Sequence, residues 1–239
     1  MRLKYRTVFF DLDDTLFDHQ RHRRDALVAL RQAAGLADDI DVLALERAHD
    51  RHQQLTEQRL MAGELSLAQA RLERLRGTLR EFGADAGDEQ LLALENIYVA
   101  AYEREWTTVP GAIELLHALR QAGARLVLIT NGRVQNQYPK LERLGLRAHL
   151  DEVLVSEEVG CEKPSMQFFQ LALARGRCRA NEGIVVGDLW HTDILGAHQM
   201  GMAAIWLNRY GYQRGPLAQP IEITGYVPLE ETLRLFVQD

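Results

Sequence analysis

Residues 8–16 read Val-Phe-Phe-Asp-Leu-Asp-Asp-Thr-Leu, an apolar run that leads directly into three carboxylates and a hydroxyl. The β-branched and aromatic residues predict a buried strand over residues 5–10. Negative charge grouped at the edge of a core is costly, so the cluster predicts a positive partner, for which a hard divalent cation is the best candidate. In extended backbone Asp11 and Asp13 share one side, and Asp14 faces the other in a structural role. Two carboxylates facing one space suggest a nucleophile and a proton donor.

The composition bounds the class of protein. A chain of 239 residues with a formal net charge of −6 fits one large domain or a core with a smaller domain, and its mild acidity argues against nucleic acid as a partner. No stretch approaches the roughly 20 apolar residues of a membrane helix, and the start leaves no room for a signal peptide. Two cysteines make no disulfide framework. We therefore expect a cytoplasmic protein.

Lysine is scarce in this chain. Of the 28 basic residues only Lys4, Lys140 and Lys163 are lysines, and the others are arginines. A lysine that persists against this bias is a candidate for a position that needs a compact point charge instead of a planar fork.

Residues 18–107 carry helical patterns without a strand. Apolar side chains recur there at spacings of three and four, and the breaks between them indicate about four helices in a small bundle. The two clearest stripes are Ala68, Leu72, Leu75, Leu79 and Phe82, and Leu91, Leu94, Tyr98 and Ala101.

From residue 108 onward helices and strands alternate. The predicted strands are 125–130, 152–156, 183–187, 203–207 and a short one near 226–227, and the predicted helices are 111–122, 134–144, 165–175, 193–200 and one starting at Pro228. Apolar strands between helices predict a mostly parallel sheet covered on both faces. We expect a Rossmann-like three-layer α/β/α core from residues 1–17 and 108–239. The helical block at 18–107 is then an insertion, expected to lie as a cap over the carboxyl ends of the strands, where ligands bind.

Polar residues follow each predicted strand, and together they suit phosphoryl transfer. They are Asp11, Asp13 and Thr15; Thr130, Asn131 and Gly132; Lys163; and Asp188 and Asp193. Asp11 would attack phosphorus and form an aspartyl-phosphate, while Asp13, kept protonated by neighbouring negative charge, would protonate the leaving oxygen.

The remaining residues of this set have supporting roles in the same reaction. Magnesium would be held by the aspartates Asp11, Asp13 and Asp188. The phosphoryl oxygens would be bound by Thr130, Asn131 and Lys163, with N–H groups bared at Gly132. Thr15 would order the loop, and Asp193 would orient Lys163 or cap its own helix.

Four motifs in this order resemble those of the haloacid dehalogenase-like hydrolase superfamily. The motifs are Asp11-Leu-Asp-Asp-Thr15, Thr130-Asn131, Lys163-Pro164, and Gly187-Asp188 with Asp193. The inserted bundle resembles the helical cap of one branch of that superfamily. The resemblance implies a Mg²⁺-dependent phosphatase with a small phosphorylated metabolite as its partner, as a monomer or a homodimer.

The substrate is less closely defined. Dehalogenases of the superfamily lack an acid two residues after the nucleophile, so Asp13 favours phosphate chemistry over a 2-haloacid dehalogenase. Four further stretches are most similar to pyrimidine 5′-nucleotidases: residues 141–146, 155–160, 192–196 and 204–208. They predict a nucleoside 5′-monophosphate as substrate, with flavin mononucleotide, sugar or acyl-sugar phosphates as alternatives. A phosphomutase and a binding protein without turnover also remain open.

Overall fold

The chain divides into two compact units. The computed structural model describes residues 2–216 and 219–238. One unit, called the core unit below, consists of Met1–Asp18 and Trp106–Asp239, and the other, the helical unit, is His19–Glu105. The chain leaves the core unit and returns to it at adjacent points, because the Asp18 N–H donates to the Thr107 carbonyl at 3.1 Å.

The core unit is built on a parallel sheet. In chain order, the strands of the described residues are β1 (Arg2–Leu3), β2 (Thr7–Phe10), β3 (Arg125–Thr130), β4 (Glu152–Val155), β5 (Gly183–Gly187), β6 (Ala203–Leu207), β7 (Ile221–Ile223) and β8 (Val237–Gln238). Six of them form one sheet in the order β4-β3-β2-β5-β6-β7, and every neighbouring pair is parallel. Strand β2 lies between β3 and β5 and all its residues are buried. The predicted α/β class, a Rossmann-like core with a mostly parallel sheet, is confirmed.

The helical unit contains four helices over residues 19–105, all of which the structure describes. They are α1 (His19–Ala33), α2 (Val42–Met61), α3 (Leu67–Glu81) and α4 (Asp88–Tyr102). The stripe on α4 is buried throughout and packs with the buried leucines of α1 and α3. On α3 only Leu75 and Leu79 of the predicted stripe are fully buried, and Ala68 is exposed.

The remaining helices belong to the core unit. They are α5 (Ala112–Gln121), α6 (Val134–Arg143), α7 (Ser156–Val159), α8 (Met166–Gly176), α9 (Leu195–Gln199) and α10 (Leu229–Arg234). The helix predicted over 193–200 begins earlier than expected, with a π-helical turn at Trp190–Ile194. Within residues 2–216 and 219–238, none of the helices combines the length and the apolar character that a bilayer crossing requires.

The strand predicted near residues 226–227 is wrong. The last strand of the sheet is β7, whose Ile-Glu-Ile sequence lies at the sheet edge and is largely exposed. Tyr226 is buried for another reason, since its hydroxyl donates to the Thr15 carbonyl at 3.1 Å. The aromatic character of this core residue is what suggested a strand in the sequence. Leu217 and Ala218, in the loop predicted before it, lie outside the described residues.

Candidate active site

The predicted site residues follow three neighbouring strands. Asp11 comes directly after β2, and its N–H donates to the Val186 carbonyl at 3.0 Å, which extends the ladder by one residue. Thr130 ends β3 and Asp188 follows β5. Because these strands are adjacent and parallel, their carboxyl ends meet at one edge of the sheet.

Lys163 occupies the middle of this edge. Its Nζ donates to Asp11 Oδ1 at 2.5 Å, to Asp193 Oδ1 at 2.7 Å and to the Ile129 carbonyl at 2.9 Å, so all three ammonium hydrogens have acceptors. The side chain is 2% exposed. Burial by itself lowers the pKa of Lys163, but the charges of Asp11 and Asp193 outweigh it, and the pKa lies above its ordinary value. The ammonium therefore stays charged.

Lys163 does not neutralise the aspartates around it completely. Burial raises the pKa of Asp11 to about 7, although the Lys163 charge acts in the opposite direction. Burial also raises the pKa of Asp188 well above its ordinary value, and the charges of Asp11, Asp193 and Asp14 raise it further. The site thus holds more buried negative charge than one ammonium group balances.

The carboxylates of this edge are arranged as a cation site would require. Asp11, Asp188 and Asp193 each offer an oxygen, and these oxygens all lie within 4.8 Å of one another. Asp188 Oδ1 is buried and has no hydrogen-bond partner within the described residues. Both oxygens of Asp193 are engaged, one with Lys163 and the other with the Leu189 N–H at 3.1 Å. Asp11 and Asp188 are therefore the residues that fit a hard cation such as Mg²⁺.

The position of Asp193 requires a glycine at residue 187, the last residue of β5. It is fully buried in the π-helical turn, directly against Gly187. A Cβ at Gly187 would lie 2.4 Å from Asp193 Cγ, closer than any side chain tolerates. The residue before Asp188 must therefore be glycine for Asp193 to reach Lys163.

Asn131 and Gly132 make hydrogen bonds inside the protein. The Asn131 side chain binds the backbone of Lys163 twice, because its Nδ2 donates to the Lys163 carbonyl and its Oδ1 accepts from the Lys163 N–H, both at 2.9 Å. The Gly132 N–H donates to Ser156 Oγ at 2.9 Å. The sequence predicted that this N–H would be exposed to an anion, whereas in the structure it joins the loop after β3 to the first residue of α7.

Asp13 lies on a tight turn and not in extended backbone. Strand β2 ends at Phe10, and Asp14 adopts a left-handed conformation with φ of 60°. The Asp14 N–H donates to the Phe17 carbonyl at 2.7 Å, and the Thr15 N–H to the Leu12 carbonyl at 3.3 Å, which closes the turn. The alternation of faces on which the sequence prediction relied therefore stops before Asp13.

Two side chains of helix α6 hold Asp13, and the sequence reasoning missed their role at the site. Lys140 Nζ donates to Asp13 Oδ1 at 2.6 Å and to Oδ2 at 2.8 Å. Gln137 Nε2 donates to Asp13 Oδ2 at 3.1 Å and to Thr130 Oγ1 at 2.8 Å. Asp13 is therefore held by hydrogen-bond donors from two side chains of the same helix. The scarcity of lysine was the signal that could have identified Lys140.

Comparisons with known proteins agree with this geometry. The family model for haloacid dehalogenase-like hydrolases matches residues 5–201. A ribulose-1,5-bisphosphate 5-phosphatase of Halopiger xanaduensis is 34% identical over 199 residues, which are 83% of this chain and 82% of that protein. Pyrimidine 5′-nucleotidase YjjG of Escherichia coli is 39% identical over 118 residues, 49% of this chain and 52% of that protein.

A solved structure extends the likeness over nearly the whole chain. The putative HAD-hydrolase YfnB of Bacillus subtilis, in a magnesium-bound crystal form that reveals interdomain movement, superposes with a TM-score of 0.74 and 27% identity, covering 96% of this chain and 99% of its own. The family resemblance read from the four motifs is thereby confirmed. This chain belongs to the haloacid dehalogenase-like hydrolase family.

Proposed function

We propose that this protein is a Mg²⁺-dependent phosphatase in which Asp11 forms an aspartyl-phosphate. The observation that carries the proposal is the buried arrangement of Asp11, Lys163 and Asp188: a carboxylate fixed by an ammonium, beside a second carboxylate whose Oδ1 has no partner in the described chain. Relatives of this chain are named as phosphatases. A covalent carboxyl nucleophile divides one difficult displacement into two easier ones.

Each step has a residue to perform it. In the first step Asp11 attacks phosphorus, the bond from phosphorus to the ester oxygen breaks, and Asp13 supplies the proton that the leaving oxygen takes up. In the second step Asp13 accepts a proton from water, the water oxygen attacks phosphorus, and the bond to Asp11 breaks. Lys163 keeps its contact with Asp11 and provides positive charge beside the phosphoryl group.

The cation belongs beside Asp11 and Asp188. These two residues would hold it, as their buried carboxylates and the orphaned Asp188 oxygen indicate. When bound, Mg²⁺ would screen the negative charge of the site and polarise the phosphoryl oxygens.

The substrate we propose is a nucleoside 5′-monophosphate, with a short sugar phosphate as second candidate. The first is supported by the similarity to the Escherichia coli nucleotidase, which covers about half of this chain. The second is supported by the similarity to the archaeal sugar-bisphosphate phosphatase, which covers 83% of it. Release of phosphate from a panel containing nucleotides, flavin mononucleotide and sugar phosphates decides between them, and release without a bisphosphate activator argues against a phosphomutase.

We also propose that residues 18–107 act as a substrate-selecting cap. The insertion leaves the core unit a few residues after Asp11 and Asp13. The related YfnB structure reveals movement between its domains. A unit that moves on its own can select substrates while the chemistry stays on the sheet.

The experiment that tests the proposed function is the variant Asp11→Asn. We expect wild-type protein to release phosphate from an aryl phosphate, to stop with EDTA, and to carry label on Asp11 after acid quenching with a radiolabelled ester. Asp11→Asn should lose at least about 10³-fold in kcat, because no other route to the covalent step remains.

The matched control for this experiment is Asp38→Asn. It makes the same change at an exposed loop position and should keep wild-type activity. Turnover retained in Asp11→Asn, or label found on another residue, would refute the covalent mechanism.

A further inference from the structure

We propose that Lys140 and Gln137 of helix α6 are positioning residues that act through Asp13. This inference rests on the proposed function, since it concerns the proton transfers of the same site. Asp11 and Asp13 then each have their own buried lysine: Lys163 binds Asp11, and Lys140 binds Asp13.

Helix α6 is well placed for this task. It begins two residues after Gly132, at the end of β3, so its first turns lie at the edge where the site is assembled. Gln137 and Lys140 are three residues apart and therefore share a face of the helix. Both are buried, and so is the neighbouring Leu141. The polar side chains thus point into the protein at the site and not into solvent.

The two side chains of the Lys140–Asp13 pair differ in their exposure to solvent. The Lys140 side chain is 9% exposed, whereas that of Asp13 is 31% exposed. The buried Lys140 ammonium donates to both carboxylate oxygens of Asp13. It also lies 5.3 Å from the centre of the Phe17 ring, and the face of an aromatic ring attracts a cation. Asp13 is therefore held by a buried ammonium while part of its own side chain remains exposed.

Gln137 ties this aspartate to the phosphate-binding strand end. Its Nε2 donates to Asp13 Oδ2, to Thr130 Oγ1 at 2.8 Å and to the Asn131 carbonyl at 2.9 Å. The Gln137 side chain has room here because residue 132 is glycine. A Cβ at Gly132, whose φ is 141°, would lie only 2.9 Å from Gln137 Nε2. One amide thus fixes the distance between the end of β3 and the turn after β2.

Stability alone does not account for this arrangement. Desolvation of a buried ion pair often cancels its Coulombic gain, so well-packed apolar residues would serve a merely structural purpose equally well. One of the chain's three lysines nevertheless occupies this position. General acid–base catalysis typically contributes about 10²–10⁴-fold to the rate, and this contribution depends on correct placement of the acid. A lysine that holds the general acid in place therefore maintains this rate enhancement.

The test compares leaving groups in Lys140→Met. An ester with a strongly basic alkoxide leaving group depends on protonation, whereas p-nitrophenyl phosphate, with a weakly basic one, hardly does. We expect Lys140→Met to lower kcat/KM by about 10–10²-fold for the best alkyl phosphate and by less than about 3-fold for p-nitrophenyl phosphate. Lys4→Met, at the exposed lysine that binds the Arg234 carbonyl, is the matched control and should change neither.

A double-mutant cycle completes the test. In an Asp13→Asn background, Lys140→Met should change kcat/KM for the alkyl phosphate by less than about 2-fold, because the residue through which it acts is gone. If Lys140→Met shows no cooperative thermal transition, Lys140→Gln, which keeps a donor but not the charge, replaces it with the same expectations.

The outcomes separate this inference from the proposed function. Equal losses for both leaving groups, no loss for either, or additive losses in the cycle would overturn the role of Lys140 while leaving the phosphatase intact. Wild-type protein that releases phosphate from neither ester would overturn the phosphatase itself, and the role of Lys140 with it.

Discussion

Asp188 and Asp193 are both buried beside Asp11, but their oxygens have different surroundings. Asp193 accepts from Lys163 and from the Leu189 N–H, so its charge is compensated inside the protein. Asp188 Oδ1 has no partner within the described residues, and burial raises its pKa well above the ordinary value. Residues of the same type therefore have opposite relations to stability: Asp193 is compensated internally, whereas Asp188 Oδ1 has no partner among the described residues.

The two aspartates are accordingly expected to respond differently to loss of their charge. In metal-free protein at about pH 8, Asp188→Asn should raise the thermal midpoint by a few degrees, because it removes an uncompensated buried charge. Asp193→Asn should lower the midpoint by roughly 5 °C or more, because it leaves Lys163 short of a partner. Thermal unfolding followed by circular dichroism checks both. Equal shifts in the same direction would contradict the distinction.

The helical unit contains ion pairs and a buried histidine between its helices, which its leucine pattern does not predict. Arg23 donates to Asp50 Oδ1 at 2.5 Å and to Glu46 Oε1 at 2.7 Å, which joins α1 to α2. His49, also on α2, is buried and stacks on Tyr98 of α4 with ring centres 5.3 Å apart. These helices are thus held by an ion-pair network and an aromatic stack in addition to the apolar stripe.

His49 makes the helical unit sensitive to acid. Burial, and then the charges of Arg74 and Arg23, lower the pKa of His49 well below its ordinary 6.5. The unfolded chain therefore binds a proton more readily than the folded one. The contribution to stability is full above pH 6.5 and is lost as the pH falls below it, by up to about 1.4 kcal/mol per pH unit.

Urea unfolding at about pH 5 and about pH 7.5 measures this effect. The loss of unfolding free energy on acidification should be smaller in His49→Gln than in wild-type protein. The exposed His198→Gln is the control and should behave as wild type. An unchanged pH dependence in His49→Gln would show that His49 is not the responsible group.

At the scale of the whole molecule, a bound cation and protons would compete for one set of buried carboxylates. Burial raises the pKa of Asp11 to about 7 and the pKa of Asp188 well above its ordinary value, so the metal-free fold is most favoured when both are protonated. Their contribution to stability is therefore full below about pH 4 and is lost as the pH rises towards 7 and beyond. A bound cation would reverse this trend, because it stabilises the ionised forms.

Mg²⁺ is therefore expected to raise the thermal midpoint more at about pH 8 than at about pH 5.5. Chelation by EDTA should cancel the increase, and Asp188→Asn should show little increase at either pH. Differential scanning fluorimetry with and without Mg²⁺ makes the comparison. A response to Mg²⁺ that is independent of pH, or that survives in Asp188→Asn, would place the ion elsewhere.

The sequence alone determined the class of fold and which acids lie at the carboxyl edge of the sheet. Strands 125–130, 183–187 and 203–207 were predicted at their observed bounds, because near-continuous apolar runs between helices are local patterns. The order of the motifs then brought Asp11, Thr130 and Asp188 to one edge, since parallel strands share a direction. Lys163 was identified in the same way.

Only the tertiary structure decided which partners those residues take. Three contacts join residues that are far apart in the chain or separated by a turn. They are the ion pair of Lys140 with Asp13, the packing of Asp193 against Gly187, and the hydrogen bonds from the Asn131 side chain to the Lys163 backbone. Such pairings depend on strand order and helix orientation, which no local pattern encodes. The Gly132 N–H shows the same limit: its residue type predicted an exposed donor, and the first residue of α7 supplied an acceptor.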